Sequence, residues 1–203
     1  MTTEALGGQN DVPTIVGLNA DEGSATLGYG RATIDEFDRQ TREVFGNRAD
    51  EFLRFYPARS DQQAAALQRT SRRELSWAAL DRNAARRAKN SKQALYIYYF
   101  ARVMPWPEHP EYGAFHSSEL PYVIDNLRFL PHPFTPIDQS TARVMSSYWV
   151  NFVGSGDPNG TDLPRWPIYR DLHDFLVVSD EGIGAKTLID ETKLAVLRDF
   201  LNR

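Results

Sequence analysis

The sequence contains no cysteine and no long uninterrupted apolar run. The first absence excludes disulfide bonds and thiolate chemistry. The second argues against a membrane-spanning helix, which needs about 20 predominantly apolar residues in a row. The N-terminal residues also lack the basic region and apolar core of a secretory signal peptide. We therefore expect a chain that neither spans a membrane nor depends on disulfide bonds.

Neither sign of charge is in large excess. The chain has 23 Lys and Arg against 27 Asp and Glu, a formal net charge of −4, which makes no electrostatic case for binding nucleic acid. Basic residues are concentrated between positions 69 and 89, where a solvated helix face explains them better than a polyanion site. Hydrophobic residues make up 41% of the 203 residues, enough for a core.

Three short apolar segments have the character of strands. They are Val12–Leu18, Ala94–Phe100 and Phe175–Ser179, rich in β-branched and aromatic residues. Their apolar residues are continuous rather than alternating, which indicates strands that are covered on both faces.

Helix signals lie between and after these strands. Thr33 and Glu36 form a capping-box pattern, and Thr135 followed by Pro136 is a second helix start. Segments rich in proline, 104–115 and 128–134, are predicted to be loops. The predicted helices cover 33–46, 49–55, 61–89, a short segment entered at 117–119, 135–154, and a last helix capped by Asp190.

Alternating strands and helices predict an α/β fold, with a few parallel strands flanked by helices. Three strands are few for such a sheet, and the first begins close to residue 1. We therefore treat residues 1–203 as one partial domain whose remaining strands come from an upstream chain, a separate polypeptide or self-association. A sheet with such an open edge is expected to self-associate or to be marginally stable.

Two chemically useful side chains follow the first two predicted strands. Glu22 comes directly after the first strand, and His116 lies on the loop after the second. Functional groups of parallel α/β sheets gather at the carboxyl ends of the strands. A carboxylate that accepts from one imidazole nitrogen would leave the other nitrogen to remove a proton from a nucleophile.

The nucleophile of such a triad is missing from the sequence. In α/β-hydrolases the order along the chain is nucleophile, acid, histidine, and the nucleophile lies in a Gly-x-Ser-x-Gly turn. No serine of this chain has glycines two residues before and after it, and no His-Gly-Gly segment is present to build an oxyanion hole. On pattern alone, the interpretation that Glu22 caps a turn and His116 is an ordinary loop histidine is favoured over a triad.

Several segments nevertheless resemble one family. They are Gly17–Gly23 (GLNADEG), Gly113–Tyr122 (GAFHSSELPY), Tyr148–Phe152 (YWVNF), Gly156–Gly160 (GDPNG) and Trp166–Tyr169 (WPIY). Their content and order are similar to those of the type B carboxylesterases, which include bacterial para-nitrobenzyl esterases and the cholinesterases. The resemblance begins near residue 9 and covers nearly all of the chain.

The resemblance implies the C-terminal part of an α/β-hydrolase fold, with Glu22 as triad acid and His116 as triad base. It also implies that Phe115, Leu120 and Phe129 contact the acyl or alcohol group of an ester substrate. Glu119 matches a family carboxylate that we interpret as structural support. The family's serine-bearing half has no counterpart in this sequence.

Two functional hypotheses follow. The first is the C-terminal part of a serine carboxylic-ester hydrolase, inactive alone, whose partner is the missing half or a second copy bound at the sheet edge. The second is a non-catalytic scaffold or assembly subunit derived from the esterase fold. Ester hydrolysis of this kind needs no cofactor, and the spacing of His109, Glu111 and His116 matches no standard zinc pattern.

Overall fold

The secondary structure alternates between strands and helices. A computed structural model describes residues 10–170 and 174–202. The strands are β1 (Thr14–Asn19), β2 (Leu95–Phe100), β3 (Phe175–Ser179) and β4 (Gly182–Lys186). The helices are α1 (Ile34–Phe45), α2 (Ala49–Phe55), α3 (Asp61–Asn90), α4 (Leu120–Val123), α5 (Pro136–Ser155) and α6 (Glu191–Leu201).

The four strands form one mixed sheet in the order β1-β2-β3-β4. β1, β2 and β3 are parallel, and β4 pairs antiparallel with β3. The predicted α/β fold is confirmed, but the predicted number of strands was one too low. β4 has the sequence Gly-Ile-Gly-Ala-Lys, which contains no apolar run, and it pairs because a tight turn folds it back onto β3.

Helices flank both faces of the sheet. On β2, Tyr96 and Tyr98 face α5, where their rings meet those of Phe152 and Trp149. Tyr99 points to the opposite face and meets the Trp77 ring of α3 at 5.2 Å. Alternate side chains of a strand point to opposite faces, so β2 is packed between α5 and α3.

β1 is much less covered than its neighbours. Only Asn19 of its six residues is buried, whereas β2 is buried at every position except Tyr98. Within the residues that the structure describes, β1 is the last strand of the sheet on its side. The outer edge of β1 is therefore open.

Buried ionic networks connect the helices. Asp81 of α3 is 1% exposed and accepts hydrogen bonds from Arg198 of α6 and from the Tyr169 hydroxyl. Replacing one partner of such a pair leaves a buried charge without compensation. The contact therefore fixes α6 against α3.

The predicted helix starts agree with the structure. Thr33, Thr135 and Asp190 each cap the following helix through a side-chain oxygen. The predicted end of α5 at Gly154 was wrong, because the helix continues to Ser155 and ends at Gly156, whose φ of 78° provides the left-handed cap.

The remaining expectations concern membrane-spanning helices and the N-terminal residues. In the part of the chain that the structure describes, no helix has the length and apolarity required to cross a membrane. The N-terminal residues that lack signal-peptide features lie almost wholly outside the described residues, which begin at residue 10.

Candidate active site

Two loops meet at the carboxyl ends of β1 and β2. We name residues 20–24 the acid loop and residues 112–119 the histidine loop. The Asp21 N–H donates to the Ala114 carbonyl at 2.9 Å, and the Ala114 N–H donates to Asp21 Oδ2 at 3.1 Å. The Ser24 hydroxyl donates to the Tyr112 carbonyl at 2.6 Å. The two loops thus form one hydrogen-bonded unit.

Glu22 and His116 are in direct contact within this unit. His116 Nδ1 lies 2.8 Å from Glu22 Oε2, and Glu22 Oε1 accepts the backbone N–H of Asn19 at 3.0 Å. When Nδ1 carries the proton, this contact leaves the lone pair of Nε2 available as a base. The His116 side chain is 77% exposed and that of Glu22 is 31% exposed, so the ring is open to an approaching group.

The backbone on either side of His116 adopts unusual conformations. Gly113 has a φ of 58°, and a Cβ atom there would lie 2.4 Å from Asp21 Oδ2. Ser117, directly after His116, has a φ of 73°, which non-glycine residues seldom adopt. Gly113 therefore permits the close approach of the acid loop, and the turn at Ser117 follows the exposed ring.

Arg73 of α3 anchors the acid loop from the helix side. Its Nη2 donates to Asp21 Oδ1 at 2.9 Å, and its Nε donates to the Ala20 carbonyl at 2.9 Å. The Arg73 side chain is 33% exposed and that of Asp21 is 18% exposed. This contact was not predicted, because the basic residues of α3 were interpreted only as a solvated surface.

A second layer of polar side chains lies behind the pair. The Asn19 Nδ2 amide donates to the Phe115 carbonyl at 2.7 Å and to Glu119 Oε2 at 2.5 Å. The Tyr98 hydroxyl lies 3.5 Å from Glu119 Oε1. Burial raises the pKa of Tyr98, and the neighbouring Glu119 carboxylate raises it further. Tyr98 therefore stays neutral and can donate to Glu119.

Asn19 was missed by the sequence analysis, which included it only as part of the Gly17–Gly23 segment. The one available signal was its place as an amide side chain directly after a buried-type strand. Glu119 accepts hydrogen bonds from Asn19 and Tyr98, and its structural role stays a prediction.

The three residues predicted to contact substrate have different surroundings. The Phe115 ring packs 5.8 Å from that of Trp106. Leu120 is 50% exposed, and Phe129 is 72% exposed beneath the Arg128 guanidinium. The small pocket that includes Glu22 is lined by other residues, which are Leu18, Asn19, Ala20, Tyr29, Arg72, Arg73, Ser76 and Trp77. The substrate-binding role of Phe115, Leu120 and Phe129 stays a prediction.

The other histidine, acidic and serine side chains near the site were also considered as metal ligands or nucleophiles. Across residues 10–170 and 174–202, no three His, Cys, Asp or Glu side chains are grouped as metal ligands. His109 lies 3.5 Å from Glu111 and stacks on the Tyr112 ring, apart from the Glu22–His116 contact. Of the serines near the pair in sequence, Ser24 is buried and donates to Tyr112, and Ser118 is 1% exposed.

Comparison with known proteins gives a consistent family signal. A model of the carboxylesterase family matches residues 2–195. Phenmedipham hydrolase of Pseudarthrobacter oxydans is 28% identical over 184 residues, which cover 85% of this chain and 37% of that protein. Fumonisin B1 esterase of Sphingopyxis macrogoltabida is 31% identical over 195 residues, covering 89% of this chain and 35% of that protein.

A human relative matches over a shorter region. Cocaine esterase of Homo sapiens is 32% identical over 92 residues, which cover 42% of this chain and 16% of that protein. The chain thus spans between 16% and 37% of the length of these three relatives.

Proposed function

Because this chain belongs to the carboxylesterase family, we propose that it supplies the acid, Glu22, and the base, His116, of a Ser–Glu–His triad for ester hydrolysis. The observation that supports the proposal most is the 2.8 Å contact between Glu22 Oε2 and His116 Nδ1 at the carboxyl ends of adjacent parallel strands. The serine would come from a segment outside the present sequence.

The proposed mechanism gives the two nitrogen atoms of His116 different roles. Nε2 removes the proton from the serine hydroxyl as its oxygen attacks the ester carbonyl, and Glu22 stabilises the resulting imidazolium through Nδ1. The imidazolium then gives the proton to the departing alcohol, which leaves an acyl-serine. Water deprotonated by the same nitrogen hydrolyses that intermediate and regenerates the serine.

The open edge of β1 is where we propose that the serine-bearing half binds. The N–H groups of Thr14 and Ala20 donate to carbonyls at and next to β2, namely those of Ala94 and Phe100. Because alternate N–H groups of a strand point to opposite sides in the plane of the sheet, those of Ile15 and Gly17 point away from β2. They are free to pair with one further strand.

Hydrogen exchange tests this part of the proposal. In the isolated chain, the amides of Ile15 and Gly17 should exchange quickly, whereas those of Val16 and Leu18 should be protected by β2. Addition of the serine-bearing half should protect Ile15 and Gly17 selectively. Equal protection of all four amides in a monomer would contradict an open edge.

The chain alone should have no meaningful esterase activity. Without a serine nucleophile and oxyanion donors, Glu22 and His116 can act only on water, and those missing groups supply most of the covalent chemistry. Turnover of para-nitrophenyl acetate should therefore not exceed that of free imidazole at equal concentration. Turnover well above that level would contradict the proposed division of the triad.

Reconstitution tests the roles of the two residues. Co-expression with a family segment that carries Gly-x-Ser-x-Gly should restore hydrolysis of para-nitrophenyl acetate. His116→Ala should then abolish the activity, and Glu22→Gln should reduce it by about 10⁴-fold, as for loss of a triad acid. His109→Ala is the matched control, because His109 pairs with Glu111 instead. Restored activity that survives His116→Ala would remove His116 from its proposed role.

A further inference from the structure

Asn19 lies where the two loops of the candidate site meet. It is the last residue of β1, it is 4% exposed, and it is one of the few buried polar side chains among the described residues. A buried amide without hydrogen-bond partners would destabilise the fold, so the partners of Asn19 indicate what the residue does.

The hydrogen bonds of Asn19 reach both members of the Glu22–His116 pair. Its backbone N–H donates to Glu22 Oε1 at 3.0 Å, on the carboxylate whose other oxygen meets His116. Its side-chain Nδ2 donates to the carbonyl of Phe115, the residue directly before His116, at 2.7 Å. One residue thus holds the acid through its backbone, and through its side chain the loop that carries the base.

The second amide hydrogen of Asn19 is also used. Nδ2 carries two hydrogens, and the second points to Glu119 Oε2 at 2.5 Å. Glu119 begins the entry to α4, three residues after His116. The Asn19 amide therefore holds the histidine loop on both sides of His116, at Phe115 and at Glu119.

We propose that Asn19 is a positioning residue that sets the separation between the Glu22 carboxylate and the His116 ring. The inference rests on the proposed function, because positioning matters only if the pair is used. Asn19 acts through its hydrogen bonds to Glu22 and to the histidine loop, and takes no part in proton transfer. An amide suits this place because Nδ2 is a double donor, whereas a carboxylate would face two acceptors and repel them.

The tautomer of His116 reports the positioning directly. A neutral imidazole in water favours the proton on Nε2, whereas a bond to Glu22 requires it on Nδ1. Long-range ¹H–¹⁵N correlation NMR separates the two forms, and comparison with His116→Ala assigns the His116 signal among the four histidines. The measurement uses the chain itself and needs no serine.

The informative variants are Asn19→Leu, which keeps the volume, and Asn19→Ser, which is smaller and easier to accommodate. Both retain the backbone N–H and lose the double donor. We expect the ratio of the Nδ1–H to the Nε2–H form to fall by about three- to tenfold, which corresponds to the net loss of one hydrogen bond. Either folded variant with an unchanged ratio would overturn the inference.

Gln68→Leu is the matched control. Gln68 is another buried amide, 2% exposed, and it bonds to Gly30 and Gln40. The Gln68→Leu variant should lower the stability of the chain and leave the His116 tautomer ratio unchanged. If this variant lowered the ratio as much as the Asn19 variants do, the effect would be one of general destabilisation and the inference would be overturned. A wild-type ratio equal to that of Glu22→Ala, which removes the acceptor altogether, would overturn both this inference and the proposed function. An unchanged ratio confined to the Asn19 variants would overturn the inference alone.

Discussion

Gly17 of β1 lies directly against the ring of Tyr98 on β2. A Cβ atom at position 17 would be 2.3 Å from Cδ1 of that ring, far inside van der Waals contact. The missing side chain lets the Tyr98 ring cross β1, and its hydroxyl reaches to 3.5 Å from Glu119 Oε1. The glycine therefore contributes to the layer behind the candidate pair.

Gly17→Ala should destabilise the chain by about 1–3 kcal/mol, because the added methyl group overpacks a filled space. Gly184→Ala is the control, since nothing lies within 4 Å of a Cβ atom at that position of β4. Urea unfolding measures both. In a Tyr98→Leu background the cost of Gly17→Ala should fall, which a double-mutant cycle would reveal. Equal costs for the two alanine variants would contradict the close contact.

Arg73→Met should destabilise the chain by about 1–2 kcal/mol, because it removes the hydrogen bonds to Asp21 Oδ1 and to the Ala20 carbonyl in a half-buried site. Arg39→Met is the comparison. Arg39 pairs with Glu43 on an exposed helix surface, where such a pair contributes about 0.3–0.5 kcal/mol. Thermal or urea unfolding gives both values, and a cost for Arg73→Met no larger than that for Arg39→Met would show that the anchor is weak.

Stability at low pH should depend on Asp138. Burial of this carboxyl raises its pKa, but hydrogen bonds from Arg102, Thr135 and Tyr122 outweigh that effect and hold the pKa at about 2. Because the folded pKa lies below the ordinary value of 3.8, the unfolded chain binds more protons in this range. The stabilisation is complete above the unfolded pKa and is lost as the pH falls through the folded one.

The stability difference between wild type and Asp138→Asn should therefore narrow by about 2 kcal/mol between about pH 5 and pH 2. Asp180→Asn serves as the control, since Asp180 bonds to the same Arg102 but is 61% exposed. Urea unfolding at the two pH values gives the difference for each variant. A constant difference for Asp138→Asn would contradict the lowered pKa.

Substitutions of Ser117, in the turn after His116, should change stability according to how well the new residue adopts a positive φ. Ser117→Val should cost about 1–2 kcal/mol, because a β-branched residue is strained at a φ of 73°. Ser117→Gly should be neutral or slightly stabilising, because glycine adopts that conformation without strain. Unfolding free energies of the two variants would test this prediction. A Ser117→Val variant as stable as Ser117→Gly would show that the turn rearranges easily.

The helix starts could be predicted because their causes are local. The Thr33 and Glu36 capping box and the Thr135 cap use side chains within three residues of the backbone groups that they bond. β4 could not be predicted in this way. Its residues have little strand character, and only the turn after Ser179 brings Gly182 and the residues after it beside β3.

The candidate site likewise combines features that could be predicted from local sequence with features that could not. The proximity of Glu22 and His116 could be expected because each follows a recognisable strand, and parallel strands end at the same edge of a sheet. Their assignment as acid and base came from the family resemblance. The role of Asn19 depends on Phe115, a residue 96 positions away, and on the depth at which the amide is buried. Neither property is visible in a short stretch of sequence that otherwise has the composition of a turn.

The two outer strands of the sheet have different capacities to recruit another chain. β4 has only five residues, two of which are glycine, and it ends at Lys186, features that discourage edge-to-edge pairing. β1 lacks such protection on its outer side. Two copies that met β1 to β1 about a twofold axis would consume both open edges at once, so that assembly should stop at a closed pair and not propagate into fibrils.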